Sequence, residues 1–244
     1  LDNFSYSQAN EYLKKFKTER IFGEDELYKN FVQILLRHNP RYKEIPAREY
    51  LNNYREKFTS NNHKKSKGLN LSIEYPKSWI NQEGKRPNIL QLIKSYDGSC
   101  SMTILIKDFI AEMGLDKSTL TKEERDYIYS DAFANEINKD VFNYDYGRDY
   151  ANGMGLEAIA DYSFEKTKID GQPAMLIKAS GKVKRGMVDM RVFTINYLII
   201  YKNYMIIVGF MINSYDENLP EQKKKYELLS ELISSSLIFT DKWL

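Results

Sequence analysis

The sequence has little of what catalytic and metal centres are usually built from. It contains one cysteine, Cys100, and two histidines, His38 and His63. A single cysteine excludes an internal disulfide, and neither histidine has a cysteine, histidine or carboxylate at a spacing typical of a zinc site. Because Cys100 borders a predicted strand and has no activating partner near it in sequence, we interpret it as a structural thiol.

The short motifs of common enzyme classes are also missing. The chain has no G-x-S-x-G elbow, no P-loop and no G-x-G-x-x-G fingerprint. Asn143, Asp145, Gly147 and Asp149 have some character of a calcium loop, but they do not fit its register. The paired carboxylates Glu123-Glu124 belong to a predicted helix cap. We therefore predict a non-enzymatic protein with no catalytic residue, no metal site and no cofactor. A hydrolase with unrecognised carboxylates is an alternative.

Apolar runs long enough to span a membrane are absent as well. No stretch of about 18 apolar residues occurs, so no membrane-spanning helix is predicted. The 244 residues are nevertheless 42% hydrophobic, which is enough for a folded core. The chain begins with Leu1 in place of methionine, as an exported protein does after removal of its signal segment.

Charge is small overall and unevenly distributed. The net charge of +2 gives no sign of a nucleic-acid partner. Residues 1–67 carry 14 Lys/Arg against 9 Asp/Glu, a net charge of +5, and the remainder carries 22 against 25, a net charge of −3. This asymmetry predicts an N-terminal segment over residues 1–67 and a main domain over residues 68–244.

The polar stretch TSNNHKKSKG at residues 59–68 separates the two parts and is predicted to be an exposed linker. Its Lys64, Lys65 and Lys67 have two interpretations. The ordinary one is a solvated charge run; the alternative is contact with phosphates or anionic lipid.

Residues 172–212 are the stretch around which the chain is organised. Their apolar runs at 198–200 and 205–208 leave no polar strand face, which is typical of strands covered on both sides. Asp170-Gly171 and Lys202-Asn203 are hairpin-turn signals. We predict four consecutive antiparallel strands over residues 161–212, with helices on both faces of the sheet.

Three amphipathic helices are predicted before residue 60. The first begins at the capping-box pair Ser5 and Gln8, the second covers residues 24–37, and the third follows Pro46. The apolar stripe of the third would consist of Tyr50, Leu51, Tyr54 and Phe58.

Three strands and a helix are predicted between the linker and the meander. The strands are Leu69–Tyr75, Ile89–Lys94 and Ser101–Lys107. Thr121 and Glu124 form a capping box. The helix behind it would carry the stripe Tyr129, Phe133 and Ile137.

The last helix is predicted to begin near Asn218 and to end near Ser236, with Tyr226, Leu229 and Ile233 facing the sheet. The fold class is therefore α+β. An antiparallel sheet of six or seven strands lies between helical layers (α/β/α), preceded by an N-terminal helical segment.

Three features of this order resemble the PsbP/Mog1 fold family, which includes bacterial PsbP-like lipoproteins. The main domain opens with GLNLSIEYPKSW at residues 68–79, similar to the strand, Tyr-Pro, x-x, Trp entrance of the family. IDGQPA at residues 169–174 is similar to its Gly-x-Pro-Ala hairpin. Two long apolar strands then lead into a helix that closes with Ser236-Leu237.

This resemblance implies a non-enzymatic binding or assembly protein that is exported to the periplasm or the cell surface. A lipid anchor attached upstream of Leu1 would be in keeping with it. The expected partner is a protein or another component of the cell envelope. The alternative is a small-molecule or lipid carrier with a pocket between sheet and helices, lined by methionine and aromatic residues.

The candidate contact site is the aromatic stretch at residues 140–155, which we predict to be a long loop. Tyrosine and arginine are the residue types that anchor protein interfaces. The residues proposed to bind a partner are Tyr144, Tyr146, Arg148 and Tyr150. The alternative is that these rings only cover the edge of the sheet.

Overall fold

The computed structural model describes residues 47–53, 55–95, 98–112, 114–185, 188–214 and 219–242. The strands are β1 Arg55–Thr59, β2 Leu71–Pro76, β3 Ile80–Glu83, β4 Ile89–Lys94, β5 Cys100–Asp108, β6 Glu157–Ile169, β7 Gln172–Arg185, β8 Val188–Tyr201, β9 Tyr204–Ser214 and β10 Ile238–Phe239. The helices are α1 Ala47–Leu51, α2 Phe109–Glu112, α3 Lys122–Ile128, α4 Asp131–Glu136, α5 Tyr144–Gly153 and α6 Leu219–Ser235. A π-helical turn covers Ile137–Val141.

An antiparallel sheet of seven strands, in the order β3-β4-β5-β9-β8-β7-β6, forms the centre of the fold. The predicted meander is confirmed, since β6 to β9 pair in sequence order. Asp170 and Gly171 both have positive φ, 49° and 73°, as a two-residue hairpin turn requires. Lys202 also has a positive φ of 54° in the turn before β9. The predicted α+β class with an antiparallel sheet is thus confirmed.

Both faces of this sheet are covered, as the continuous apolar runs predicted. Along β8, Phe193, Ile195 and Tyr197 point into the first core. Met190 and Leu198, on the alternate positions, point into the second. Because side chains of a strand alternate between faces, each strand contributes to two cores.

Different secondary-structure elements pack over the two cores. The first lies beneath α6 and a three-stranded sheet of order β1-β2-β10. Tyr226, Leu229 and Ile233 of α6 are buried there, as predicted. The second core lies beneath the short helices between β5 and β6. The first core is therefore covered by a helix together with a small sheet, and the predicted α/β/α layers did not include this sheet.

The third predicted helix is wrong beyond Leu51. The helix α1 ends at that residue, and Phe58 lies on the strand β1, where it pairs with Ile73 of β2. The ring of Phe58 is buried on this strand, and the pairing satisfies backbone groups of β2 along its edge. The prediction of an exposed linker is also wrong in part, because Ser60 and Ser66 are buried.

The capping box of Thr121 and Glu124 is confirmed, with both reciprocal hydrogen bonds present. The single helix predicted behind it is wrong. The helix α3 stops at Ile128, and the side chain of Ser130 caps the next helix, α4, by accepting a hydrogen bond from the Phe133 amide. A serine side chain competes with the helical backbone for hydrogen bonds, which explains the break.

The first two predicted helices and the predicted cap at Asn218 lie outside the described residues. The division of the chain at residue 67 stays a prediction. Residues 47–53 and 55–67 nevertheless contact the main fold, because α1 packs on α6 and β1 extends the small sheet. No helix within the described ranges is both long and apolar enough to cross a bilayer.

Candidate functional site

The candidate aromatic stretch folds as a helix, so the predicted loop over residues 140–155 is wrong. Asn143 caps α5, and its side-chain oxygen accepts a hydrogen bond from the Tyr146 amide at 2.9 Å. Asparagine is among the best N-cap residues. The oxygen-rich residues that suggested a calcium loop thus serve as a cap and a helical surface.

The helix separates the four predicted contact residues into two pairs. Residues four apart lie on the same side of a helix, and residues two apart lie on nearly opposite sides. Tyr146 and Tyr150 therefore face the sheet and are half-buried, whereas Tyr144 and Arg148 are exposed. The structure brings only the second pair to the surface.

The inner pair anchors the helix to the second core. The ring of Tyr146 lies 5.9 Å from that of Phe142, and its hydroxyl lies 3.7 Å from the sulfur of Met205. Burial, followed by the neighbouring Tyr146, raises the pKa of Tyr150 well above its usual range. These two residues pack against the second core.

The exposed pair, Tyr144 and Arg148, lies near Tyr162 of β6, a residue that was not predicted from the sequence. The rings of Tyr144 and Tyr162 are 5.1 Å apart in an edge-to-face arrangement at 84°. The Tyr162 hydroxyl donates a hydrogen bond to the Tyr144 carbonyl oxygen at 3.0 Å. Burial and Tyr144 raise the pKa of Tyr162, and the nearby positive charge of Arg148 opposes this shift. We call Tyr144, Arg148 and Tyr162 the α5–β6 surface.

This surface borders one edge of the large sheet. In the described part of the chain, β6 pairs only with β7, so its other side is an open edge. Ala158 and Asp161 have positive φ of 51° and 50°, and the pairing register shifts around them. Such bulges discourage strand addition. The segment after Tyr162, which pairs regularly, is the accessible part of the edge.

Gly147 lets α5 lie directly on Tyr162. A Cβ at this position would be 2.5 Å from the Tyr162 hydroxyl and 3.3 Å from a ring carbon of Phe164. Gly147→Ala is expected to displace the Tyr162 ring and to lower the free energy of unfolding by about 1 kcal/mol. Urea unfolding measures the loss of stability, and near-ultraviolet circular dichroism reports the altered tyrosine environment.

Gly153, in the same helix, is the matched control. A Cβ there meets nothing within 4 Å. Gly153→Ala should therefore cause no loss of stability and should raise it by less than about 1 kcal/mol, because alanine is the better helix former and Gly153 is the last residue of α5. Equal effects from the two substitutions would contradict the close approach at Gly147.

The remaining candidates take no part in this surface. Cys100 is buried on β5, as expected of a structural thiol. His63 is half-buried, and its ring packs edge-on against Phe58 at 6.2 Å. His38 lies outside the described residues. Across the ranges that the structure describes, no three His, Cys, Asp or Glu side chains form a group suited to a metal ion.

No protein-family model matches the sequence. No curated protein sequence matches it at a significant level.

Several solved structures are similar to this chain. One is PsbP (CyanoP) from Synechocystis, with a TM-score of 0.41 and 12% identity, covering 76% of this chain and 92% of that one. Another is Mog1p, a Ran-binding protein of Saccharomyces cerevisiae, with a TM-score of 0.41 and 12% identity over 71% of this chain and 92% of that one. LpqN of Mycobacterium tuberculosis, described as involved in cell envelope biogenesis, has a TM-score of 0.35 and 10% identity, covering 76% and 91%.

PsbP and Mog1p are the two proteins that give the resembled family its name. At TM-scores of 0.35–0.41 and identities of 10–12%, these similarities support no statement about what this chain does.

Proposed function

We propose that this protein is a binding protein and that the α5–β6 surface contacts a protein partner. The observation that carries the proposal is the placement of Tyr144, which is 51% exposed although it is a large aromatic residue. Its ring is held by Tyr162 through both a ring contact and a hydrogen bond. A ring that is exposed and already ordered loses little conformational freedom on binding.

Residue chemistry favours a protein as the partner. Tyrosine and arginine are enriched among the residues that dominate the energy of protein interfaces. Arg148 lies one helical turn after Tyr144, so a partner that covers the ring also meets the guanidinium. The open edge of β6 beside them offers backbone groups to an extended segment of the partner.

We propose no chemical step and no cofactor for this protein. We also propose that it is exported to the periplasm or the cell surface and that its partner lies in the cell envelope, as the resemblance to the PsbP/Mog1 family implies. Saturable turnover of a common ester, phosphate or glycan substrate by the purified protein would contradict the non-enzymatic part. Recovery of the protein in the cytosolic fraction of its own cells would contradict the exported part.

Site-directed photo-cross-linking tests the contact. A benzophenone amino acid in place of Tyr144 is expected to form a defined cross-linked product with a protein in the native cells. The same group in place of Tyr129, an exposed tyrosine after α3, is the control and should give none of that product. Arg148→Glu should reduce the yield at position 144 at least about tenfold, since one interface arginine contributes about 1.4 kcal/mol or more.

Two results would overturn the assignment of this surface. One is a cross-link of equal yield from positions 144 and 129, and the other is a yield at 144 that Arg148→Glu leaves unchanged. Gly147→Ala is a second variant for the cross-linking experiment. Its Cβ would displace the ring of Tyr162, while the exposed side chains of Tyr144 and Arg148 remain in place.

The alternative function, a small-molecule or lipid carrier, stays a prediction. The methionines that would line its pocket do lie between the sheet and the helices, but Met175, Met190 and Met205 are buried and packed in the second core. That packing favours the binding protein.

A further inference from the structure

The loop between β1 and β2 is a compact structure. Three successive turns join Ser60, His63, Ser66 and Leu69 by backbone hydrogen bonds of 2.9–3.0 Å. The Ser60 hydroxyl closes the loop, because it donates to the Leu69 carbonyl at 2.6 Å and accepts from the Leu71 amide at 2.9 Å. The lysines of this loop are therefore carried by an ordered backbone.

One of these lysines connects the loop to a distant turn. The Lys65 ammonium donates a hydrogen bond to the Gly84 carbonyl and lies 3.4 Å from the Glu83 carboxylate. Gly84 belongs to the turn between β3 and β4, which continues with Lys85 and Arg86. The contact places cations that are about 20 residues apart in sequence on one surface.

The charge of this surface is strongly positive. Lys64, Lys67, Lys85 and Arg86 are exposed, and Lys65 lies between them. Residues 60–69 and 83–88 hold these five cations against one carboxylate, Glu83, which gives a net charge of +4. The whole chain carries only +2. The charge is therefore concentrated here, and Lys65 already pairs with Glu83.

We propose that the four exposed cations of this group form a docking surface for the anionic lipid headgroups of a membrane, with Lys65 joining the two turns that carry them. We call it the basic surface. Its cations project from two turns, whereas a site for a single phosphate requires donors that converge on one point. Headgroups spread over a bilayer match such an array, since each lysine or arginine near the surface contributes independently.

Other classes of macromolecule fit the basic surface less well. Lysine is depleted in protein interfaces, and residues 60–69 and 83–88 expose no large apolar anchor for a protein. They also contain no Phe, Tyr or Trp on which the bases of a single strand could stack. The basic surface and the α5–β6 surface lie near opposite edges of the large sheet, β3–β4 and β6. Each contact is therefore testable without the other.

Vesicle co-sedimentation of the whole chain tests the proposal. Wild-type protein should bind vesicles that contain phosphatidylglycerol in phosphatidylcholine, and it should not bind phosphatidylcholine alone. Lys64→Glu combined with Lys67→Glu should weaken binding at least about 30-fold, and Lys85→Glu combined with Arg86→Glu should do the same. Added salt should weaken the binding of wild type, because exposed charges are screened.

Two further variants serve as controls. Lys168→Glu combined with Lys182→Glu makes the same change in net charge at exposed positions on β6 and β7, and it should bind as wild type does. Lys64→Arg combined with Lys67→Arg keeps the charge and should also bind. Circular dichroism of each variant verifies the fold.

Four outcomes would overturn the proposal. They are equal binding of wild type to neutral and anionic vesicles, an equal loss in the Lys168 and Lys182 control, retention of binding by both charge-reversed pairs, and abolition of vesicle binding by millimolar inorganic phosphate. The last would indicate a site for a small anion in place of a membrane surface.

Discussion

Tyr226→Ala is expected to lower the free energy of unfolding by about 4 kcal/mol, in the range measured for large-to-small changes at buried aromatic positions. Tyr226 is 1% exposed and lies on α6. Its ring packs edge-on against Trp79 at 6.2 Å, and its hydroxyl accepts a hydrogen bond from Ser99 at 3.1 Å. The ring thus joins α6 to two segments of the first core, and its loss leaves a cavity between them.

Urea unfolding followed by circular dichroism measures this change. A loss of about 4 kcal/mol corresponds to about 8–16 °C in melting temperature for a chain of this size. Tyr226→Phe is the matched control, because it keeps the ring and removes only the hydrogen bond. Its cost should be about 1 kcal/mol. A phenylalanine variant as unstable as the alanine variant would show that the hydroxyl, and not the ring, joins α6 to the sheet.

Lys178→Ala is expected to cost about 2–3 kcal/mol. Lys178 projects from β7, and its ammonium lies 2.8 Å from Glu227 and 3.7 Å from Glu231 of α6. The side chains of Lys178 and Glu231 are only 20% and 17% exposed. Removing the lysine would leave two carboxylates partly desolvated and without this partner. Such a loss costs about 3–5 kcal/mol in a fully buried site and less here, where Glu227 is 34% exposed.

Lys184→Ala tests whether burial is the cause. Lys184 is on the same strand and lies 3.6 Å from Glu157, but both side chains are more than half exposed. Its removal should change stability by no more than about 0.5 kcal/mol. Equal losses from the two variants would contradict the role of burial at Lys178.

The pH dependence of the Lys178→Ala effect has a definite sign. Burial alone would lower the pKa of Lys178, but the hydrogen bond to Glu227 and the charge of Glu231 outweigh it and raise the pKa. A raised lysine pKa contributes stability that is complete below the unfolded value of about 10.4 and is lost as the pH rises through the folded value. The wild type and the alanine variant should therefore differ by a constant amount from about pH 6 to 9 and should converge at higher pH.

The candidate site shows where prediction from sequence stops. Tyr144 and Arg148 were identified by residue type alone, and both are exposed. Tyr162 was not identified, because an aromatic residue at an alternating strand position carries no sign of the helix that will pack on it. Gly147 was noted only as part of a stretch that does not fit the register of a calcium loop, and its actual role depends on the distance between α5 and Tyr162.

The basic surface, too, could not be predicted from the sequence. The sequence showed Lys64, Lys65 and Lys67 as a short run that is ordinarily solvated. Their proximity to Lys85 and Arg86 depends on the contact between Lys65 and Gly84. Nothing in the local pattern of either segment predicts that contact.

The sequence by itself determined the central meander, its turns and its burial. These features follow from local chemistry, since Asp170-Gly171 adopts positive φ with little strain and apolar runs bury both faces of a strand. Only the tertiary structure decided that Phe58 lies on a strand and that Tyr162 lies against Gly147 of α5. The strand β1 exists because β2 pairs with it, and β2 also pairs with Phe239 from the far end of the chain. The conformation of a short segment such as β1 depends on partners that are distant in sequence, because its own helix and strand propensities differ too little to select helix or strand.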